Sequence, residues 1–217
     1  MNIKIARKPL SLLVAGFLLA AVLPATEGVR NHFDTDSAGR APGFFDFVVL
    51  GAPGPARWVV LADLNPPSAP NRVSQVNKTR PTDSIAAAIR RNYVFQDGTV
   101  STFIKRGAGL EGLVLRVADE KKFLVLLVDS GSGDAVISSY RDGKATELGR
   151  GHASLDRVWE KFSVVASGPT LTVLFNDQKI FEAKDPRPAT GKTGLAAAGP
   201  GESSFDEFVL EPADAPK

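Results

Sequence analysis

Between Tyr93 and Asp129 the chain reads YVFQDGTVSTFIKR, then GAGLEG, then LVLRVADEKKFLVLLVD, and this stretch leaves little room for anything but β-structure. Val100 and Ile104 fall on one side of the first apolar run. Leu113, Leu115 and Val117 alternate along the second, and alternation with period two marks a strand with one wet face. Phe123 to Val128 is apolar at every position, the mark of a strand covered on both faces. Only a few residues separate the runs. That predicts antiparallel neighbours, because a parallel return needs a long crossover.

The rest of the chain repeats the theme. Strands are predicted over Arg57–Asp63, Arg72–Val76, Trp159–Ala166, Leu171–Phe175, Lys179–Lys184, Thr193–Ala198 and Ser204–Leu210, with two more inside Asn31–Phe47. The three prolines within Asn65–Asn71 demand an irregular loop. Asp142-Gly143, between VISSY and KATEL, is the strongest local hairpin signal. Thr82 to Asn92 is ambiguous. Its N-capping residues and its alanines favour two helical turns, and pairing with neighbours favours a strand. About a dozen strands with short turns predict a sandwich or barrel, and the 20 Gly and 15 Pro suit the many turns.

The N-terminus differs from the rest. Lys4, Arg7 and Lys8 precede the uncharged run Leu10–Leu23, the pattern of a secretory signal. We expect a signal peptide over residues 1–26, a sandwich domain over 29–212 and a disordered tail over 213–217. Cleavage is placed between Ala25 and Gly28, with an uncleaved anchor as the alternative. There are no cysteines, so disulfides and thiolate zinc sites are excluded, and a bacterial periplasm or cell surface suits such a protein. The leader holds three of the 26 basic residues and none of the 24 acidic ones, so without it the formal +2 becomes −1. That gives no electrostatic case for nucleic acid or anionic lipid. A monomer is expected.

FDTDSAGRAPGFF near the start, the Tyr93–Asp129 block, WEKFSVVASGPTLTVLFNDQKIFEAKD, GKTGLAA and FDEFVLEP near the end occur in one order across almost the whole chain after the leader. In that order and spacing the chain resembles the concanavalin-like (laminin-G-like) jelly-roll modules of exported bacterial proteins, and among them the group related to the 3-keto-disaccharide hydrolase domain. The resemblance implies an all-β fold, a two-sheet antiparallel β-sandwich with its first and last strands side by side. It also implies a strand over Ile85–Ile89.

The chemistry is sparse. Gly107-Ala108-Gly109-Leu110-Glu111-Gly112 matches G-x-G-x-x-G but leads into a strand, not the helix that dinucleotide binding needs. Gly191-Lys192-Thr193 lacks the leading glycine of a P-loop. The hydrolase relatives carry Glu-x-Gln-x-x-Asp on the strand corresponding to Phe123–Asp129. This chain keeps only Asp129 of that set, which argues against catalysis. The two histidines, His32 and His152, fall in loops. Asp129 to Asp134 could serve a cation but fits a hairpin end better. If the first and last strands pair, Asp34, Asp36, Asp206 and Glu207 could meet, and modules of this type hold a structural calcium in this way. Trp58 and Trp159 begin apolar strands and are expected in the core, whereas Tyr93 and Tyr140 are expected to be partly exposed. With Gln75, Arg116 and Asp129 these tyrosines are the candidate ligand-binding residues, and no catalytic residue is assigned. The expectation is an exported binding or structural module of the cell envelope that recognises glycan. The alternative is a glycoside hydrolase acting on 3-keto-disaccharides, and a protein-interaction module is a third reading.

Overall fold

The computed structural model describes residues 28–107 and 109–213. The leader expected over 1–26 lies outside the described residues, as does all but the first residue of the expected tail.

Fifteen strands are numbered in chain order: β1 (Val29–Asn31), β2 (Phe45–Gly51), β3 (Trp58–Ala62), β4 (Asn71–Gln75), β5 (Ser84–Arg90), β6 (Gly98–Lys105), β7 (Leu110–Asp119), β8 (Lys122–Asp129), β9 (Asp134–Arg141), β10 (Lys144–His152), β11 (Trp159–Ser167), β12 (Thr170–Phe175), β13 (Gln178–Lys184), β14 (Lys192–Ala198) and β15 (Ser203–Pro212). They form two antiparallel sheets. The eight-stranded sheet runs β13-β12-β11-β6-β15-β4-β3, with β1 added beside β15. The seven-stranded sheet runs β10-β9-β8-β7-β14-β5-β2. The first and last strands lie side by side, with Val29 opposite Leu210 and Asn31 opposite Phe208. No helix among the described residues is long and apolar enough to cross a membrane.

The core lies between the sheets. Val100 and Ile104 of β6, Leu113 and Leu115 of β7, Leu124 and Leu126 of β8 and Phe162 of β11 share it. Phe45 of β2 meets Phe208 of β15 edge-on across the two sheets, with ring centroids 5.7 Å apart. Each such side chain, once fully buried, contributes about 1.5–3 kcal/mol.

Three sequence expectations are settled here. Asp142 (φ 52°) and Gly143 (φ 75°) turn β9 into β10, the paired positive φ values that a tight right-twisted hairpin needs. The Ile85–Ile89 stretch is a strand: Ala86 and Ala88 face the core while Ile85, Ala87 and Ile89 face away. Pairing to β2 and β14 outweighs the weak helix preference of alanine. The expectation that β6 and β7 are antiparallel neighbours is corrected. β6 pairs with β11 and β15, and β7 with β8 and β14, so the glycine-rich link carries the chain from one sheet to the other. Their apolar faces meet across the core rather than edge to edge.

Candidate functional site

A curved sheet offers a groove on its outer, concave face, but in the seven-stranded sheet most of that face is filled. Phe123, Val125 and Leu127 point outward from β8, Val114 and Val117 from β7, and Leu50 from β2. With the outward residues of β5 and β14 they make a second apolar cluster, separate from the inter-sheet core. Tyr140 stacks on Phe123 at 4.4 Å and 12°. At the middle of the face sit Gly112 and Gly194, where a Cβ would collide with the carbonyls of Leu126 and Ala88. Close approach of the strands there lets the sheet coil.

The coil closes on itself. The Gly51 N–H at the end of β2 donates to the carbonyl of Glu120, in the β7–β8 turn, at 3.1 Å. In sheet order β5 and β14 separate β2 from β7, so only a strongly coiled sheet permits this contact. Gly51 has φ +74°, and a Cβ there would lie 2.5 Å from the Asp83 carbonyl and 3.7 Å from Tyr140 Cε1.

One part of the concave face stays open, a cleft of about 580 Å³ between β2 and the end of β7. Val48, Leu50, Ile89 and Val117 supply its apolar lining, and Asp46, Asp119, Glu120 and Lys192 its charged groups. Val48 is 36% exposed, the most open large apolar residue of that lining. Asp46 is held by Arg91 at 2.6 Å, and Asp119 accepts the Lys121 N–H at 2.8 Å. Exposed carboxylates accept hydrogen bonds, Lys192 donates them, and the aliphatic lining receives C–H surface. A smaller depression of about 430 Å³ lies on the outer face of the eight-stranded sheet, where Phe103 sits among Thr99, Ser101 and Ser163. Its mixed hydroxyl and methyl surface is what the wet face of an antiparallel sheet carries anyway.

The expected ligand residues do not converge on the cleft. Gln75 is fully buried in β4 and donates to Asn77 at 2.7 Å. Tyr93, expected near the surface, is buried in the inter-sheet core. Arg116 is an interior cation. It donates to Asp185 at 3.1 Å, to Asp97 at 3.3 Å and to the carbonyls of Gln96 and Gly168. Asp129 caps its own turn by accepting the N–H groups of Gly131 and Ser132 at 2.8 and 3.1 Å. Only Tyr140 faces the concave side, packed on Phe123. The cleft residues Asp46, Val48, Asp119, Glu120 and Lys192 were not singled out from the sequence. The outward alternation Asp46, Val48, Leu50 along β2 was the one available signal.

The four acidic residues assigned to a metal meet only in part. Ser68 bridges two of them, its N–H donating to Asp206 at 2.7 Å and its hydroxyl to Asp34. Asp36 instead accepts the Gly43 N–H, and Glu207 pairs with Arg30 and His32. Two carboxylates, both engaged with donors, supply at most four of the six to eight oxygens calcium takes, so the four expected side chains do not by themselves make a calcium cage. Among the described residues no group of three or more His, Cys, Asp or Glu converges.

A general acid needs a carboxyl held neutral near working pH. Among the described residues two carboxyls are shifted that way, and neither lines the cleft. Burial pushes Asp206 up to about 7, offset by the N–H groups of Ser68 and Glu207 and reinforced by the charges of Glu207 and Asp34. Burial also pushes Glu111 well above the usual carboxylate range, against the Ser204 N–H that it accepts at 3.1 Å. Glu111 shares its sheet face with Leu113 and points between the sheets.

No family model matches the sequence, and no curated protein matches it. Solved structures do share its fold. The VIP36 exoplasmic/lumenal domain in its Ca2+/Man-bound form aligns with a TM-score of 0.57 at 15% identity, over 88% of this chain and 91% of that one. The carbohydrate binding module CBM66 from Bacillus subtilis aligns with a TM-score of 0.53 at 14% identity, over 72% of this chain and 96% of that one. A Bacillus subtilis protein of unknown function with a galectin-like fold gives 0.51 at 14% identity, over 76% and 89% of the two chains. At such identities the likeness is one of fold, and it agrees with the concanavalin-like jelly roll expected from the sequence.

Proposed function

We propose that the protein is an exported, monomeric glycan-binding module of the periplasm or cell surface, and that saccharide seats in the cleft between β2 and the β7–β8 turn. The observation that carries this is the cleft itself, an aliphatic lining beside three carboxylates and one lysine at the mouth of a concave face that is otherwise filled. A pyranose presents the matching pattern, apolar C–H patches rimmed by hydroxyls. The sugar-binding neighbours of the same fold support the ligand class, and the basic-then-apolar N-terminal pattern supports export.

Hydrolysis of 3-keto-disaccharides is the second reading. It rests on the sequence likeness, and the geometry gives it less: Asp129 is spent on a turn, and Phe123, Val125 and Leu127 occupy the outer face of β8.

The test is a glycan array followed by calorimetric titration of the best hit into the protein and into Val48→Asp. Val48 is exposed enough to change without loss of folding. A loss of affinity of about tenfold or more, or about 1.4 kcal/mol, is expected. Equal affinities would remove the cleft as the binding site. Turnover of a 3-keto-disaccharide by the purified protein would favour the second reading.

A further inference from the structure

Among the described residues, the buried Arg116 and the half-buried Arg72 and Arg141 all have partners. Arg116 holds two carboxylates and two carbonyls, Arg72 holds two carboxylates, and Arg141 holds one. Arg80 is the exception. It is only 5% exposed, and its Nε, Nη1 and Nη2 atoms all lack a hydrogen-bond partner among the described residues. Nearby Ser84 is fully buried, and its hydroxyl is unpartnered too. Guanidinium cannot shed its charge, so it cannot escape the cost of burial by becoming neutral, as a buried lysine can. Burial pulls its pKa down, and no neighbouring carboxylate opposes that pull. An ion left this way costs several kcal/mol unless something compensates it.

One defined segment covers both side chains. Gly54 lies over both side chains: a Cβ there would collide with Ser84 Oγ and come within 3.5 Å of Arg80 Cγ. Pro53 and Pro55 flank that glycine and stiffen the covering segment, and the Ser84 N–H donates to the Pro81 carbonyl, holding the 80–84 turn beneath it. A guanidinium fork and a hydroxyl without acceptors among the described residues have the complement of a group with two or three anionic oxygens.

We propose that Arg80 and Ser84, beneath the loop that contains Gly54, form a site for a small oxyanion, a sulfate or a carboxylate. The site is separate from the glycan cleft and does not depend on it. The anion's oxygens take the Nη and Nε hydrogens and the Ser84 hydroxyl, which replaces an uncompensated cation with a neutral pair.

The test follows thermal unfolding of the protein and of Arg80→Met at constant ionic strength. Sodium chloride is exchanged for sodium sulfate, for sodium glucuronate, and for chloride plus neutral glucose. At a hundredfold excess over Kd the wild type is expected to gain about 5–10 °C over chloride, from sulfate, glucuronate or both. A gain from glucuronate alone identifies a sugar acid as the source, and a gain from sulfate marks a free oxyanion. Arg80→Met should melt no lower than wild type in chloride and should show no such gain beyond the general salting effect of sulfate. Ser84→Ala keeps the charge and should need several-fold more anion for the same gain, a second readout that does not rely on removing the cation. Equal anion responses in wild type and variants would overturn the site. So would a clear loss of stability in Arg80→Met without anion, because it would mean that the cation is already compensated.

Discussion

Arg116 Nη1 donates to Asp185 Oδ2 across 3.1 Å, from side chains that are 2% and 1% exposed. The second Asp185 oxygen receives Arg141 at 3.0 Å, so one buried carboxylate ties β7 and β9 to the segment after β13. Removing one member of such a set leaves buried charge without its partner. Asp185→Ala is expected to cost about 3–5 kcal/mol by denaturant unfolding, and the double change Arg116→Met with Asp185→Leu to recover much of it. Additive losses in the double variant would contradict that cause.

Glu111 gives the protein a pH dependence. Its folded pKa is raised, so its contribution is intact below the unfolded value near 4.5 and is lost as pH rises through the folded value. Wild type should therefore lose stability toward neutral and alkaline pH. Glu111→Gln removes the titration and keeps an acceptor for the Ser204 N–H, so it should gain on the order of 1–3 kcal/mol over wild type at alkaline pH. Melting curves from pH 4 to 9 decide this, and parallel curves for the two proteins would count against it.

Coiling of the seven-stranded sheet depends on bare backbone at its centre. At Gly194 a Cβ would meet the Ala88 carbonyl, and backbone cannot step aside as a side chain can. Gly194→Ala should cost roughly 3 kcal/mol, the upper end for overpacking. Gly143→Ala meets nothing within 4 Å and carries only the strain of φ +75°, so it should cost about 1 kcal/mol. Equal costs would mean that the close strand contact is not what Gly194 provides.

Calcium tests the placement of the acidic residues. With Asp34 and Asp206 bridged by Ser68 and Asp36 and Glu207 engaged elsewhere, neither calcium nor EDTA should move the melting temperature. A calcium-dependent rise of several degrees that vanishes in Asp34→Asn would show that the four side chains regroup around an ion.

Local physics made part of this fold legible in advance. Asp142-Gly143 announces its turn because few residues accept positive φ, and Phe123–Val128 announces two covered faces because no polar residue interrupts it. The sequence also suggested that β6 and β7 pair, because a short link usually joins neighbours, yet the link crosses between sheets. Tyr93, Gln75 and Arg116 were misjudged for a different reason. Their surroundings are set by distant chain: the main partner of Arg116 lies 69 residues away, at Asp185. The cleft was invisible for the same reason, since Asp46, Val48 and Lys192 come together only when the sheet coils.

The most direct test is a map of amide chemical-shift changes when the best array glycan is added to isotope-labelled protein. Changes confined to residues 46–50, 117–120 and 192 are expected. Changes centred on Phe103, Ser101 and Ser163, on the outer face of the other sheet, would contradict the proposed seat of the ligand.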